Sequence, residues 1–294
     1  MRIEKNHIKV IVACALVVVI ISMSLVGCID LAGLGQTKHT YIPVSTEEEL
    51  FDVVENGLYQ FEDTMYIKTK SYEAFKVMWE NLDKANVLHT VFREKYYQVR
   101  YKAVKDGCEI QLAMTLNPCG YAMRYLYTKA DKEYRNDKAK EVGEKIEQIK
   151  AEIIKAGMSD EEKVRAIHDY IISHYEYAVN GDVNDYAQTQ VLFDQGKGQC
   201  QAYSELFVAL CLLSGVEAKI VSGESSFGFG EKGHAWCQVK LGHLWYHIDV
   251  TWDDPIPDVA EMVRYDYYLK GDPTVARTHQ WSELFEKCYT DYGT

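Results

Sequence analysis

The sequence predicts an α+β fold, because it contains two kinds of hydrophobic periodicity in separate segments. In some segments apolar residues recur every three or four positions, which is typical of amphipathic helices. In others they alternate with polar residues, which is typical of half-buried strands, and a short turn joins two such strands into an antiparallel hairpin. The 294 residues are 47% hydrophobic, which is enough for a substantial core in one large or two small domains.

The N-terminus has the pattern of a targeting signal. A basic segment, Met1–Lys9, precedes the apolar segment Val10–Leu25, which is 16 residues long and short for a membrane-spanning helix. A small residue before Cys28 at the end of this segment resembles a bacterial lipoprotein signal, so we expect cleavage after residues 1–27 and lipidation of Cys28. An uncleaved anchor helix or an ordinary signal peptide is the alternative. Either way we expect an exported protein, and the lipoprotein interpretation places it at the cell membrane, facing the extracellular side, with residues 28–44 as a tether.

Residues 45–130 are predicted to form a small α+β domain. Its clearest element is a hairpin with a turn at Asp106-Gly107. We expect helices over 46–57 and 72–82, a strand over 65–68, hairpin strands over 97–103 and 108–114, and a third strand over 121–127. Cys108 and Cys119 are the most plausible disulfide pair in an exported protein, although the sequence does not decide the connectivity.

A charged amphipathic helix within residues 131–158 is predicted to connect this domain to a second one over residues 159–294. Its apolar positions form a single stripe: Val142, Ile146, Ile149 and Ile153. The second domain begins with Ser159 and, three residues later, Glu162, which is the pattern of a capping box. The formal net charge of −12 disfavours nucleic acid as a partner.

Cys200 stands where a loop with two glycines becomes an apolar helix. Gly196 and Gly198 precede it, and residues 202–213 are almost continuously apolar. The N–H groups and the positive dipole end of a first helical turn favour a thiolate, and they could hold an oxyanion during acyl transfer. The alternative is a small buried core cysteine, as we expect for Cys211 in the middle of the same helix.

His234 and Asp249 stand on two alternating segments that predict a second hairpin. A two-residue turn at Gly242-His243 makes Asp249 the diagonal neighbour of His234, and a turn one residue earlier pairs the two directly. Both registers place the side chains on one face of the sheet, whereas a three-residue loop would separate them. The pattern therefore allows a contact between the imidazole and the carboxylate.

A thiol, an imidazole and a carboxylate suggest a nucleophile, its base and an orienting group. The spacing alone does not bring Cys200 to the hairpin, and His234 and Asp249 could equally be structural polar residues. A zinc site is the rival explanation. It has weak support, because the cysteines include no Cys-x-x-Cys pair. We expect neither a metal nor a cofactor.

Four segments resemble those of bacterial transglutaminase-like proteins. The segment Gly-Lys-Gly-Gln-Cys200-Gln-Ala-Tyr resembles the nucleophile segment of that family. His234-Ala-Trp and Trp-Tyr-His-Ile-Asp249 resemble its histidine and aspartate segments, and Thr-His279-Gln-Trp resembles its C-terminal continuation. The resemblance covers roughly residues 160–285. Ala202 replaces a commoner glycine, a departure that bears on substrate fit.

The resemblance implies a papain-like transglutaminase core, in which a helix bearing Cys200 packs on an antiparallel sheet bearing His234 and Asp249. Cys200 would attack an amide carbonyl, His234 would transfer protons, and Asp249 would orient the imidazole. The thioester would then pass to water or to an amine. The second oxyanion donor is not identified, and the candidates are Tyr186, Gln190 and Gln199.

The implied function is that of a membrane-tethered cysteine acyltransferase or peptidase. Its substrates would be proteins or peptides, with cell-wall peptides among them, and the membrane contact would be the lipid anchor at Cys28. The alternative is a catalytically inactive core that serves as a cell-surface binding or scaffold protein.

Overall fold

A computed structural model describes most of the chain beyond the predicted tether. The described residues are 39–85, 87, 92–179, 187–226, 233–257, 259 and 262–293. The predicted signal peptide, the lipidation site Cys28 and the oxyanion candidate Tyr186 lie outside them. In this part of the chain, no helix combines the length and the apolar character needed to cross a membrane.

The described residues form both helices and strands, and the two kinds of element are interspersed along the chain, which confirms the α+β prediction. The helices are α1 (Glu47–Tyr59), α2 (Tyr72–Lys84), α3 (Pro118–Leu126), α4 (Asp137–Ile153), α5 (Asp160–His174), α6 (Thr189–Gln195), α7 (Cys200–Leu213), α8 (Val250–Asp253) and α9 (Asp272–Val275). The strands are β1 (Ile42–Pro43), β2 (Thr64–Thr69), β3 (Arg93–Val104), β4 (Gly107–Leu116), β5 (Glu176–Tyr177), β6 (Lys197–Gly198), β7 (Ala218–Ser225), β8 (His234–Leu241), β9 (Leu244–Ile248) and β10 (His279–Trp281).

The first sheet has the strand order β1-β2-β4-β3, and helices α1 and α2 belong to the same unit. The predicted hairpin is present as β3 and β4, with Val104 paired with Gly107. Its two-residue loop is therefore Lys105-Asp106, one residue earlier than predicted. Gly107 has a φ of 141° and its Cβ position lies 2.4 Å from the carbonyl oxygen of Thr69, so a side chain does not fit there.

The third strand predicted over residues 121–127 is wrong, because these residues lie in or at the end of helix α3. The Asn117 side chain caps the helix by accepting a hydrogen bond from the N–H of Gly120 at 2.9 Å, and Pro118 occupies the first turn. The buried positions Cys119, Ala122, Met123 and Leu126 have the spacing of one helical face. Tyrosine has a preference for strands, but the side-chain cap and the apolar face stabilise a helix here.

The disulfide between Cys108 and Cys119 does not form. Both residues are free, buried thiols. Cys108 lies in the core of the first sheet, whereas Cys119 lies in a second core built around α7.

Helix α7 is the centre of the second core, and almost every one of its side chains is buried. The second sheet, with the order β10-β7-β8-β9, packs against it, as do α4, α5 and α6. The capping box predicted at Ser159 is present at the start of α5. Phe92 and Leu116, from the N-terminal unit, belong to this core as well. The two units therefore share buried surface.

Candidate active site

Cys200 is the first residue of α7, as predicted. Helix α6 ends at Gln195, and the residue that caps its end, Gly196, has a left-handed backbone with a φ of 70°. Strand β6 then leads into α7. At Gly198 an added Cβ would lie 2.6 Å from Cδ2 of Leu192, so a glycine lets the chain pass close to α6. The Cys200 side chain is partly exposed, in contrast to Cys211, which is fully buried as expected.

His234 and Asp249 are brought together by the first of the two predicted registers. Leu241 pairs with Leu244 across the turn Gly242-His243, and the ladder continues as far as the pair of Cys237 and Ile248. Strand β9 ends at Ile248, earlier than predicted. Asp249 follows it directly and acts as the N-cap of the short helix α8.

The carboxylate of Asp249 is held at both oxygens. Its Oδ2 lies 2.7 Å from Nε2 of His234, and its Oδ1 accepts hydrogen bonds from the backbone N–H groups of Thr251 at 3.1 Å and Trp252 at 3.0 Å. Asp249 is only 1% exposed. The cap thus orients the carboxylate toward the imidazole.

The Cys200 thiol lies near enough to the ring of His234 to raise the pKa of that ring. Since Nε2 faces Asp249, Nδ1 is the nitrogen that remains for Cys200. The structure therefore brings together all three residues that the sequence singled out.

The charges of the buried pair stabilise each other. Burial alone would lower the pKa of His234, but the Asp249 carboxylate and, to a smaller extent, the nearby Cys200 thiol raise it above its ordinary value. Burial would raise the pKa of Asp249, but the charge and hydrogen bond of His234 hold it well below its usual range. The site is therefore built for an imidazolium beside a carboxylate, which is the partner that a thiolate at Cys200 requires.

A second histidine, His279, contacts the same carboxylate. Its Nε2 lies 3.0 Å from Oδ2 of Asp249. The sequence showed His279 only as part of the C-terminal motif, and nothing in its spacing pointed to Asp249. Strand β10 brings it there by pairing with β7 at the edge of the second sheet.

A third histidine, His168, supports the segment that follows Asp249. It is fully buried on α5, and its ring contacts Asp253 at 3.1 Å and Asp169 at 3.0 Å. Burial lowers the pKa of His168, but the two carboxylates outweigh it and raise the pKa. This contact ties α5 to α8.

The two described candidates for the second oxyanion donor both have other partners. The side-chain amide of Gln199 donates to the carbonyl oxygen of Ala178 at 3.2 Å, and that of Gln190 donates to Asp194 at 3.0 Å. Gln199 makes no side-chain cap to α7.

Two groups of side chains in the described residues have ligand atoms close enough together to hold a metal ion: His234, Asp249 and His279, and His247, Asp272 and Cys288. The first group is the hydrogen-bonded cluster described above. In the second, the Trp236 indole donates to Nδ1 of His247 at 2.9 Å, so Nε2 carries the ring proton and points to Asp272 at 3.0 Å. A protonated Nε2 has no lone pair for a metal, and hydrogen bonds account for this group.

Comparison with known proteins confirms the family resemblance of this part of the chain. Residues 147–250, which contain all three residues of the site, match the family model of the transglutaminase-like superfamily. This segment is therefore similar to that superfamily, and the described part of the chain has a mixed α+β fold.

Among curated relatives, kyphoscoliosis peptidase from Mus musculus is 33% identical over 127 residues, which cover 39% of this chain and 19% of the mouse protein. The protein of the same name from Homo sapiens is 33% identical over 125 residues, which cover 38% of this chain and 19% of the human protein. The match thus spans about a fifth of the length of these relatives.

Similar solved structures share little sequence with this chain. A TGase crystal structure is 15% identical, with a TM-score of 0.37, over 68% of this chain and 54% of that chain. The periplasmic domain of TgpA from Pseudomonas aeruginosa is 14% identical, with a TM-score of 0.30, over 49% of this chain and 54% of that chain.

Proposed function

We propose that this protein is a cysteine-dependent acyltransferase or peptidase in which Cys200 is the nucleophile, His234 the acid and base, and Asp249 the group that orients His234. The observation that carries the proposal is that His234, hydrogen-bonded to Asp249 at 2.7 Å, lies near the Cys200 thiol at the first residue of α7. The family match over the same residues supports it.

The proposed chemistry uses an ion pair between the Cys200 thiolate and the His234 imidazolium. The thiolate attacks the carbonyl carbon of an amide, the first N–H groups of α7 stabilise the oxyanion, and the carbon–nitrogen bond breaks as His234 gives its proton to the leaving amine. A thioester on Cys200 remains. Water or a second amine then attacks it, His234 takes the proton of the attacking group, and the thiolate is restored.

We further propose that the protein acts outside the cytoplasm, tethered by a lipid on Cys28, on protein or peptide substrates that include cell-wall peptides. This proposal rests on the sequence of residues 1–28. It can be tested by separating cell fractions and by comparing the membrane association of the native chain with that of Cys28→Ala.

The reactivity of Cys200 tests the catalytic assignment. The full chain is treated with iodoacetamide at neutral pH, and the labelled peptides are identified by mass spectrometry. We expect Cys200 to react well before the buried cysteines of the described residues, and we expect Cys200→Ala to abolish both this labelling and any turnover. Selective labelling of other cysteines, with Cys200 unreactive in the folded chain, would contradict the assignment and favour a scaffold function.

The acceptor is identified by a second measurement. The chain is incubated with casein and a fluorescent primary amine. Incorporation of the amine indicates transfer, and fragments without incorporation indicate hydrolysis. Cys200→Ala is the control for both products.

A further inference from the structure

The second histidine of the site, His279, is built into the fold as firmly as His234. It begins β10 and pairs with Ser225 of β7. Its side chain is 1% exposed, and its ring centroid lies 4.4 Å from that of Trp252 and 4.9 Å from that of Trp236. The ring therefore cannot turn away from Asp249 without moving two large side chains.

Every partner of the Asp249 carboxylate is a donor. Oδ1 accepts from two backbone N–H groups, and Oδ2 accepts from Nε2 of His234 and Nε2 of His279. A carboxylate only accepts, so the proton of His279 is on Nε2. The contact with His279 gives Oδ2 a second hydrogen bond beside that from His234.

The other nitrogen of His279 also has a partner. Its Nδ1 lies 2.9 Å from Oγ1 of Thr278, and this hydroxyl lies 3.0 Å from the hydroxyl of Tyr267. The ring of His279 is therefore held at both of its nitrogens.

We propose that His279 is a positioning residue, which holds Oδ2 of Asp249 so that the carboxylate stays directed at His234 and His234 stays directed at Cys200. This inference rests on the proposed function. His279 acts through Asp249 and has no place at the reacting carbonyl. The titratable groups that face it are Asp249, His234, Tyr267 and His247.

The inference is tested by the rate of Cys200 alkylation as a function of pH in two variants of the full chain. His279→Phe keeps a ring but removes the donor, and His279→Gln keeps an N–H donor at a similar reach. Trp281→Phe, on the same strand, is the matched control for packing. Thermal unfolding of each variant is measured alongside.

We expect His279→Phe to slow the alkylation of Cys200 about tenfold at pH 6 to 7, the effect of losing one hydrogen bond to a charged group. We also expect the pH at which Cys200 begins to react to rise by about one unit, because a poorly oriented Asp249 supports the imidazolium less well. His279→Gln should restore most of the rate, and Trp281→Phe should leave both quantities unchanged.

A purely structural role for His279 would lower the melting temperature in His279→Phe and leave the rate and its pH profile as in the native chain. That result overturns the inference and leaves the proposed function intact. Failure of His279→Gln to react faster than His279→Phe overturns it also. An unreactive Cys200 in the native chain overturns the proposed function, and the inference with it.

Discussion

A buried carboxylate on α7, the helix that begins with Cys200, makes the stability of this protein depend on pH. Glu205 is fully buried on α7. Its Oε1 accepts from the N–H of Phe92 at 2.8 Å and from the side-chain amide of Asn117 at 2.9 Å. Its Oε2 accepts from the hydroxyl of Thr189 at 3.1 Å and from the N–H of the same residue at 3.4 Å.

The magnitude follows from the pKa of this group. Burial raises the pKa of Glu205 from 4.5 to about 7, although the hydrogen bonds oppose the rise. A rise of this size corresponds to about 3 kcal/mol. The folded state holds the proton more tightly than the unfolded state does, so this contribution to the free energy of unfolding is fully present below pH 4.5. It is lost as the pH rises from 4.5 to about 7.

The substitution Glu205→Gln removes this titration. We expect the variant to be less stable than the native chain by about 1 kcal/mol at pH 4.5, because the amide nitrogen cannot accept from the N–H of Thr189. As the pH rises to 8, the native chain loses about 3 kcal/mol that the variant does not lose, so the variant becomes the more stable of the two.

The assay is urea denaturation of both proteins at several values between pH 4.5 and 8. Other titrating groups are common to both proteins and cancel in the difference. Glu144→Gln, at an exposed position of α4, is the control for the loss of a carboxylate at the surface. The reasoning is refuted if the difference for Glu205→Gln is constant, or if the native chain gains stability relative to the variant as the pH rises.

Two further substitutions test the geometry around the site. Asp249→Asn should slow the alkylation of Cys200 and any turnover by roughly 10²-fold or more, because the amide nitrogen cannot accept a hydrogen bond from the groups that donate to one of the two carboxylate oxygens. Asp266→Asn, at an exposed position, is the control. Gly223→Ala should lower the free energy of unfolding by about 2 kcal/mol in urea denaturation, because its Cβ would lie 2.0 Å from the carbonyl oxygen of Gln280. Ser225→Ala, on the same strand, should have little effect, and an equally mild Gly223→Ala would contradict the close approach of β10.

The parts of the site that local patterns specify were predicted from the sequence. Alternation with a period of two fixes which residues share a face, so the hairpin could place His234 and Asp249 together before the structure was known. The glycines before Cys200 and the apolar segment after it likewise located the start of α7. The proximity of Cys200 to the hairpin was predicted only from the family resemblance, because the packing of a helix on a sheet leaves no local pattern in the sequence.

The errors have physical causes that can be traced to particular residues. Residues 121–127 lie in or at the end of helix α3 although tyrosines carry β propensity, because the cap at Asn117 and the buried face decide the structure. Strand β9 stops at Ile248 because the Asp249 side chain caps the backbone N–H groups that follow. His279 and Glu205 were missed because their partners are distant in sequence, 30 residues away for Asp249 and 113 for Phe92.

These distant contacts change how the N-terminal unit relates to the site. Glu205 follows Cys200 by five residues, or about 8 Å along the axis of α7. Its donors at Phe92 and Asn117 come from the end of the first sheet and the cap of α3, so the N-terminal unit is anchored within two helical turns of the thiol. Since the helix is rigid over this distance, a change in the packing of that unit reaches the first turn of α7. The N-terminal unit is therefore part of the framework that positions Cys200. We expect its function to lie in how it shapes the access of a substrate to this site.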